Sequence, residues 1–295
     1  MISANKHGFT LSKWRYLKQD IFLVSVWFSA LLLAGIVIAI FGYIIINGIG
    51  AINWEFLTTP PREMMTKGGI MPAIVGTFYL TCGALLVALP LGVAAAIYLA
   101  EYAKDGSVVR FIRIMINCLA GVPSVVFGLF GLGFFVIFLG FGSSILAGSL
   151  TLGCIILPTI ISASEEAIKS VPQTFREASL ALGISKWQTI QKIVLPVALS
   201  GIMTGSVLSV GRAAGETAPI MFTAATFFTT QLPESIFDEV MALPYHIYVL
   251  ATAGTYIEET RPLQYGAVLV LISLIFMINI GAILLRIYSR KNKRW

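Results

Sequence analysis

Twenty-six consecutive residues, Ile21–Ile46, carry no charge. A bilayer span needs about 20 apolar residues, whereas the apolar part of a cleaved signal peptide is about 7–15. The stretch follows a basic stretch with Lys6, Lys13, Arg15 and Lys18, and so reads as a membrane-spanning helix rather than a signal peptide. Similar stretches recur along the chain. Of the 295 residues 57% are hydrophobic and 12% charged, with a mean hydropathy of +0.89. Soluble domains carry about 25% charged residues, so a soluble enzyme and a disordered chain are both excluded.

The pattern predicts an all-α polytopic membrane protein with six transmembrane helices, at 21–46, 71–99, 114–140, 145–163, 197–221 and 263–286. Pro90 and Pro123 predict kinks in the second and third. The connection Phe141–Ser144 makes a tight hairpin of the third and fourth. Cys82, Cys118 and Cys154 lie in apolar stretches. They read as small buried residues, with neither disulfide nor CxxC spacing. His7 and His246 are far apart, so no metal site is expected.

Basic residues are distributed unequally. Sixteen fall in the tail 1–20, the loops after the second and fourth spans, and the tail 287–295 with Arg286. Three fall on the other side: Arg62, Lys67 and Arg261. Positive-inside reasoning places both termini in the cytoplasm. The net charge of +6 is therefore assigned to topology and not to nucleic acid. The outer loops are then 47–70, with Thr58-Thr59-Pro60-Pro61 and Gly68-Gly69 as turn signals, and 222–262, whose stretch Met241–Thr252 is too short to cross. No strong internal repeat argues for a secondary carrier.

The predicted cytoplasmic loop 164–196 contains two S-x-x-Q capping boxes, Ser170–Gln173 and Ser185–Gln188, each opening a short helix. Gly183 follows the first helix as a C′ glycine. Phe175, Ala178, Ala181 and Leu182 share one helix face. That stripe fits lipid, the chain's own helices, or a groove on a partner. Glu177-Ala178-Ser179, three residues, Gly183, nine residues, Ile193, one residue and Leu195-Pro196 resembles the EAA loop of ABC-importer permeases, E-A-A-x3-G-x9-I-x-L-P. Ser179 stands where alanine is usual. The resemblance implies a type I ABC importer permease fold. It also implies an ATPase-coupling role for Arg176, Glu177, Ala178, Leu182 and Gly183.

Apart from Arg286, which closes the last span and is counted with the tail, two charged residues fall inside the predicted spans, Arg212 and Glu216. An intramembrane charge costs about 2.5–3.5 kcal/mol on insertion scales, so both should face protein or a wet pathway. Four residues apart, they can pair. The pair either fixes packing or forms an anion site, since a guanidinium fork suits oxyanions. Thr217 adds a hydroxyl, and Ser124 beside Pro123 is a further candidate whose hydroxyl could instead bond back to its own helix.

Gly211-Arg212-Ala213-Ala214-Gly215-Glu216-Thr217-Ala218-Pro219 resembles the R-x-A-G-E-T-A-P segment of PstA-type phosphate permeases. Thr59-Pro60-Pro61, Tyr98-Leu99-Ala100-Glu101-Tyr102, Pro123–Phe130, Leu180–Gly183 and Ser200–Gly205 agree with the same family. The resemblance implies phosphate passage at Arg212 and a multi-pass location in a bacterial or archaeal cytoplasmic membrane. It implies as partners a PstC-type permease, a PstB-type ATPase dimer and a PstS-type extracytoplasmic phosphate-binding protein. No GxxxxGK[ST] loop is present. ATP and Mg would therefore sit on the ATPase, with no cofactor in this chain. The competing readings are a sulfate or molybdate permease, an ion-coupled carrier working alone, and an intramembrane enzyme. The last lacks a nucleophile–base pair near the two charges.

Overall fold

A computed structural model describes residues 6–104, 106–253 and 257–291. Helix α1 runs Lys6–Gly48, and a single 3-10 turn Ile49–Ala51 follows it. Helix α2, Trp54–Thr58, starts where Asn53 Oδ1 accepts the Phe56 N–H at 2.8 Å. Strands β1 (Pro61–Arg62) and β2 (Lys67–Gly68) form a small antiparallel hairpin. Helix α3 is Met71–Ile97, prolonged by a π-helical turn Tyr98–Tyr102. Helix α4 is Ser107–Ala120, and α5 is Ser124–Gly131 with a π-helical continuation Leu132–Phe138. Helix α6 is Ile145–Lys169, α7 is Gln173–Ala181 and α8 is Lys186–Thr189. A π-helical stretch Ile190–Val194 joins α8 to α9, Leu195–Gly215. Helices α10 (Ala218–Thr223), α11 (Leu243–Thr252) and α12 (Ile257–Lys291) complete the chain.

Among the described residues, the helices at 14–51, 71–102, 145–169, 186–215 and 260–281 are long and apolar enough to cross a bilayer. The third predicted span is not one rod: α4 and α5 meet at 98°. Pro123 has no N–H for the Leu119 carbonyl and its ring would strike it, so α4 ends at Ala120. Helix α4 packs Val109, Arg113 and Ile116 inward and leaves Val108, Phe111, Met115 and Leu119 exposed. Cys118 is exposed there as well, against the expectation of burial. Arg113 ties α4 to α6 through Glu165 at 3.0 Å, and Lys169 also reaches Glu165 at 2.6 Å.

Other boundaries also move. The 1–20 segment is helical from Lys6, and α12 carries the C-terminal segment to Lys291. Residues 1–5 and 292–295, with Lys293 and Arg294, lie outside the described residues. Pro90 does not interrupt α3. The fourth span extends to Lys169, because Pro172, rather than the end of the apolar run, stops it. Ser170 caps the end of α6 with φ −68° and ψ −14°, and its Oγ bonds Ala167 O at 2.8 Å. It is thereby lost to α7, whose N-cap is Pro172 without a side-chain bond. The second predicted capping box, Ser185–Gln188, forms in both directions. The fifth span ends early, at Gly215, since Pro219 leaves the Gly215 carbonyl without its helical donor.

Small residues bring the helices together, as is usual where lipid supplies no hydrophobic drive. A Cβ on Gly83 would collide with Ser149, one on Gly92 with Ile160, and one on Gly205 with Ala163. These contacts join α3 to α6 and α6 to α9 around Leu80, Leu152, Ile155, Ile156 and Ile160. Helix α1 stands apart. Its Tyr43 ring meets Tyr265 edge-on at 5.6 Å, and Gly48 lies against the α12 backbone at Tyr265 and Gly266. The rest of its described side chains are largely exposed.

The segment 224–252 folds back onto the helix ends. A single bridge pairs Ala225 with Val240, and Leu243 N–H donates to Thr77 Oγ1 at 2.8 Å. Helix α11 buries Leu243, His246, Val249 and Leu250. His246 is 3% exposed, its Nδ1 has no hydrogen-bond partner, and burial pushes the imidazole pKa down to about 4.

Two outcomes follow from this packing. Gly205→Leu should lower the thermal unfolding midpoint of the purified protein, because the extra side chain forces α6 from α9 at about 1–3 kcal/mol or more. The fold accepts neutral His246, so the α11 packing is complete above pH 6.5 and weakens as pH falls from 6.5 toward 4. The full loss is about 3 kcal/mol. Hydrogen exchange in peptides covering 240–252, corrected for intrinsic rate, should rise over that window in the wild type and change less in His246→Leu.

Candidate functional site

Arg212 sits in the last turn of α9, where a cation also meets the negative end of the helix dipole. Glu216 follows the helix end in an extended conformation, φ −72° and ψ 128°. The two still approach, with Nε to Oε1 at 3.5 Å, which is at the limit for a hydrogen bond. Arg212 is 36% exposed and Glu216 14%. Among the described residues the guanidinium therefore makes one long contact. Among the described residues its Nη1 and Nη2 have no hydrogen-bond partner. Thr204, Leu208 and Arg212 follow one another at four-residue spacing, and none of them is buried. Arg212 thus belongs to a stripe of α9 that the chain's own helices cover only in part.

Thr217, half-buried, is the N-cap of α10 and makes no side-chain capping bond. Ser124 begins α5, half-buried, and among the described residues no hydrogen bond returns its hydroxyl to its own helix. One turn further along, Gly128 lets α5 close onto α10: a Cβ there would stand 2.9 Å from Pro219 Cα. The break between α9 and α10 therefore places Arg212, Glu216 and Thr217 at a helix end, with α5 packed on α10 beside it. A carboxylate and a guanidinium so loosely paired leave donors free to meet an oxyanion.

The second locus is α7 and α8. Phe175, Glu177, Ala178, Ala181 and Leu182 are all exposed, Leu182 to 79%. The apolar stripe expected on α7 is therefore not covered by the chain's own helices. Gly183, φ +78°, closes α7 with the two bonds of a Schellman motif, Gly183 N–H to Leu180 O at 3.0 Å and Ile184 N–H to Ser179 O at 3.3 Å. No atom lies within 4 Å of where its Cβ would be. Its glycine is a backbone requirement, on an open surface. Ser179 is buried, and its hydroxyl pairs with Thr189 Oγ1 at 2.8 Å, locking α7 to α8.

Arg176 differs from its neighbours. It turns inward, 12% exposed, onto Glu101 of the turn ending α3, with Nη2 to Oε1 at 2.8 Å. Glu101 and Glu165 are the buried carboxylates that charge-counting within predicted spans passed over, because both fall just beyond the span limits used. A signal was present in the sequence: each stands next to a long apolar run with basic residues in the following loop.

Residues 88–294 match the family described as binding-protein-dependent transport system inner membrane component. The chain belongs to that family. It is 36% identical over 264 residues to the probable ABC transporter permease protein YqgI of Bacillus subtilis (strain 168), covering 86% of this chain and 90% of that protein. It is 38% identical over 228 residues to the phosphate transport system permease protein PstA 1 of Mycobacterium tuberculosis (strain H37Rv), covering 77% and 72%. It is 35% identical over 275 residues to PstA of Mycobacterium leprae, covering 92% and 89%. Among solved structures, a bacterial ABC transporter involved in alginate import superposes with a TM-score of 0.62 at 16% identity, covering 96% of this chain and all of that one. The inward-facing MetNI methionine ABC transporter gives 0.56 at 17%, covering 75% and 94%. Those two similarities concern the fold, that of ABC importer permeases.

An importer permease of this family works with an ATPase subunit and a substrate-binding protein, and the exposed α7–α8 surface is a candidate seat for the former. Gly183→Val should strain the left-handed turn by roughly 1–2 kcal/mol. The expected result is a several-fold drop in ATPase subunit retained per permease on co-purification, with the permease itself still inserted and folded.

Proposed function

We propose that this chain is one permease subunit of an ATP-driven phosphate importer and forms half of the transmembrane phosphate pathway. The observation that carries the reading is Arg212, in the last turn of a helix long and apolar enough to cross a bilayer, half-buried, with its Nη donors uncommitted among the described residues. Relatives at 35–38% identity named as phosphate permeases support phosphate over sulfate or molybdate, which a guanidinium alone would also accept.

In this reading both termini and the α7–α8 loop are cytoplasmic. A homologous PstC-type permease covers the Arg212 stripe, so the pathway runs between the two chains. A PstB-type ATPase dimer, which binds ATP and Mg, engages Glu177, Ala178, Leu182 and Gly183. A PstS-type protein delivers phosphate to the opposite face, near the 224–252 segment. Arg212 then meets the anion, Glu216 competes with it for the guanidinium, and Thr217 and Ser124 offer hydroxyl donors. The competition keeps binding weak, as release inward requires. ATP hydrolysis belongs to the partner subunit, and this chain is not itself an enzyme.

The test is uptake of radiolabelled phosphate into vesicles holding the complete transporter. Charge-assisted hydrogen bonds contribute about 1.5–3 kcal/mol, so Arg212→Ala should reduce uptake roughly 10- to 100-fold with ATPase assembly intact. Arg212→Lys should restore part of it. Unchanged uptake in Arg212→Ala would remove the pathway role.

A further inference from the structure

Three helix ends converge on the Arg176 guanidinium. Its Nε donates to Glu101 Oε1 at 2.9 Å, and Nη2 lies 2.8 Å from the same oxygen. Nη1 donates to Val171 O at 2.6 Å and Nη2 to Ile168 O at 2.8 Å. Ile168 O is the carbonyl whose helical donor would be the N–H that Pro172 lacks. The proline that ends α6 thus exposes an acceptor, and an arginine from the first turn of α7 takes it. The same arginine holds a carboxylate from α3, 7% exposed. A second cation grips the same place from α8: Lys186 Nζ donates to the Glu101 carbonyl and lies 4.9 Å from the centre of the Tyr102 ring.

Helix α7 is joined covalently to α6 through Ser170–Pro172, but α3 is remote in sequence. Its polar hold on the loop is the Glu101–Arg176 pair with Lys186 beside it, in addition to the apolar cluster that Ala96 shares with Val171 and Val194. From there α3 runs unbroken to Met71, a rod of about 45 Å at 1.5 Å per residue. At its far end Gly76 fits under the Met241 carbonyl and Thr77 Oγ1 takes the Leu243 N–H at 2.8 Å. The 240–243 segment is therefore fastened to the same helix that the α7–α8 loop grips at the other end. The π-helical turn Tyr98–Tyr102 marks the gripped end, and such turns recur at functional positions.

We propose that the Glu101–Arg176 ion pair is the joint by which movement of the α7–α8 loop is carried into α3, and along α3 to the segment 240–243. Glu101 and Arg176 are then positioning residues for coupling, and Arg176 acts inside the permease rather than on the ATPase surface. This rests on the reading of α7–α8 as the ATPase seat. It assigns the pair a different task from that of the exposed residues: Glu177, Ala178 and Leu182 receive the ATPase, whereas Glu101 and Arg176 pass its displacement on.

The experiment uses the complete reconstituted transporter with Glu101→Gln, Arg176→Gln, the double variant, and Arg176→Lys, which keeps the charge and loses the fork. Uptake, ATP hydrolysis with and without binding protein, and ATPase subunit per permease are measured together. The expected result is unchanged subunit stoichiometry, a roughly tenfold fall in phosphate taken up per ATP in each Gln variant, and loss of the stimulation by binding protein. The double variant should be no worse than the more damaging single one, since the two side chains act as a unit, and Arg176→Lys should fall between. Wild-type stimulation and uptake in Glu101→Gln would overturn the proposal. So would effects that multiply in the double variant, or activity lost only in proportion to ATPase lost from the complex. Failure of the wild-type permease to retain any ATPase subunit would instead overturn the reading of the α7–α8 surface.

Discussion

A helix inside a bilayer can stop only where its released backbone groups find other partners, because hydrocarbon offers none. That constraint organises this structure. Three prolines, Pro123, Pro172 and Pro219, each withhold a backbone N–H and so fix where α4, α6 and α9 end. The carbonyls and chain reversals at those ends lie next to Ser124, Arg176 and Arg212. Pro90 and Pro158 remain inside continuous helices, Pro90 on an exposed face of α3 and Pro158 buried in α6. Proline alone does not break these helices. It does so where the following residues have another conformation to adopt and another contact to make.

Much of this was readable from residue order. The apolar runs located the bundle, the S-x-x-Q box at Ser185 formed, and Gly183 took a positive φ as a C′ glycine should. The 98° turn between α4 and α5 was not readable. Hydropathy sees only apolar content, and α4 is apolar on the side it exposes while burying Val109, Arg113 and Ile116 against α3 and α6. Ser170 illustrates the same limit at smaller scale. Its motif matched a capping box, yet the residue was already committed to the end of the preceding helix, and a local pattern cannot report that competition.

The site was legible in part. Intramembrane charge singled out Arg212 and Glu216, since a cost of that kind is seldom left in a span without a use. Their separation as i and i+4 suggested a stacked helical pair. The helix ends between them, and the contact lengthens to 3.5 Å. Arg176 was identified through its motif, but its direction was not. Whether a side chain in a short loop helix points outward or inward depends on what lies beneath it, here Glu101, 75 residues earlier in the chain.

Helix α1 is made well before α12, its main intrachain neighbour. Until the ribosome has released the segment around Tyr265, the opening span has little of its own chain to rest on. The order of synthesis thus leaves this arm waiting in lipid until α12 arrives, and α12 decides where it comes to rest.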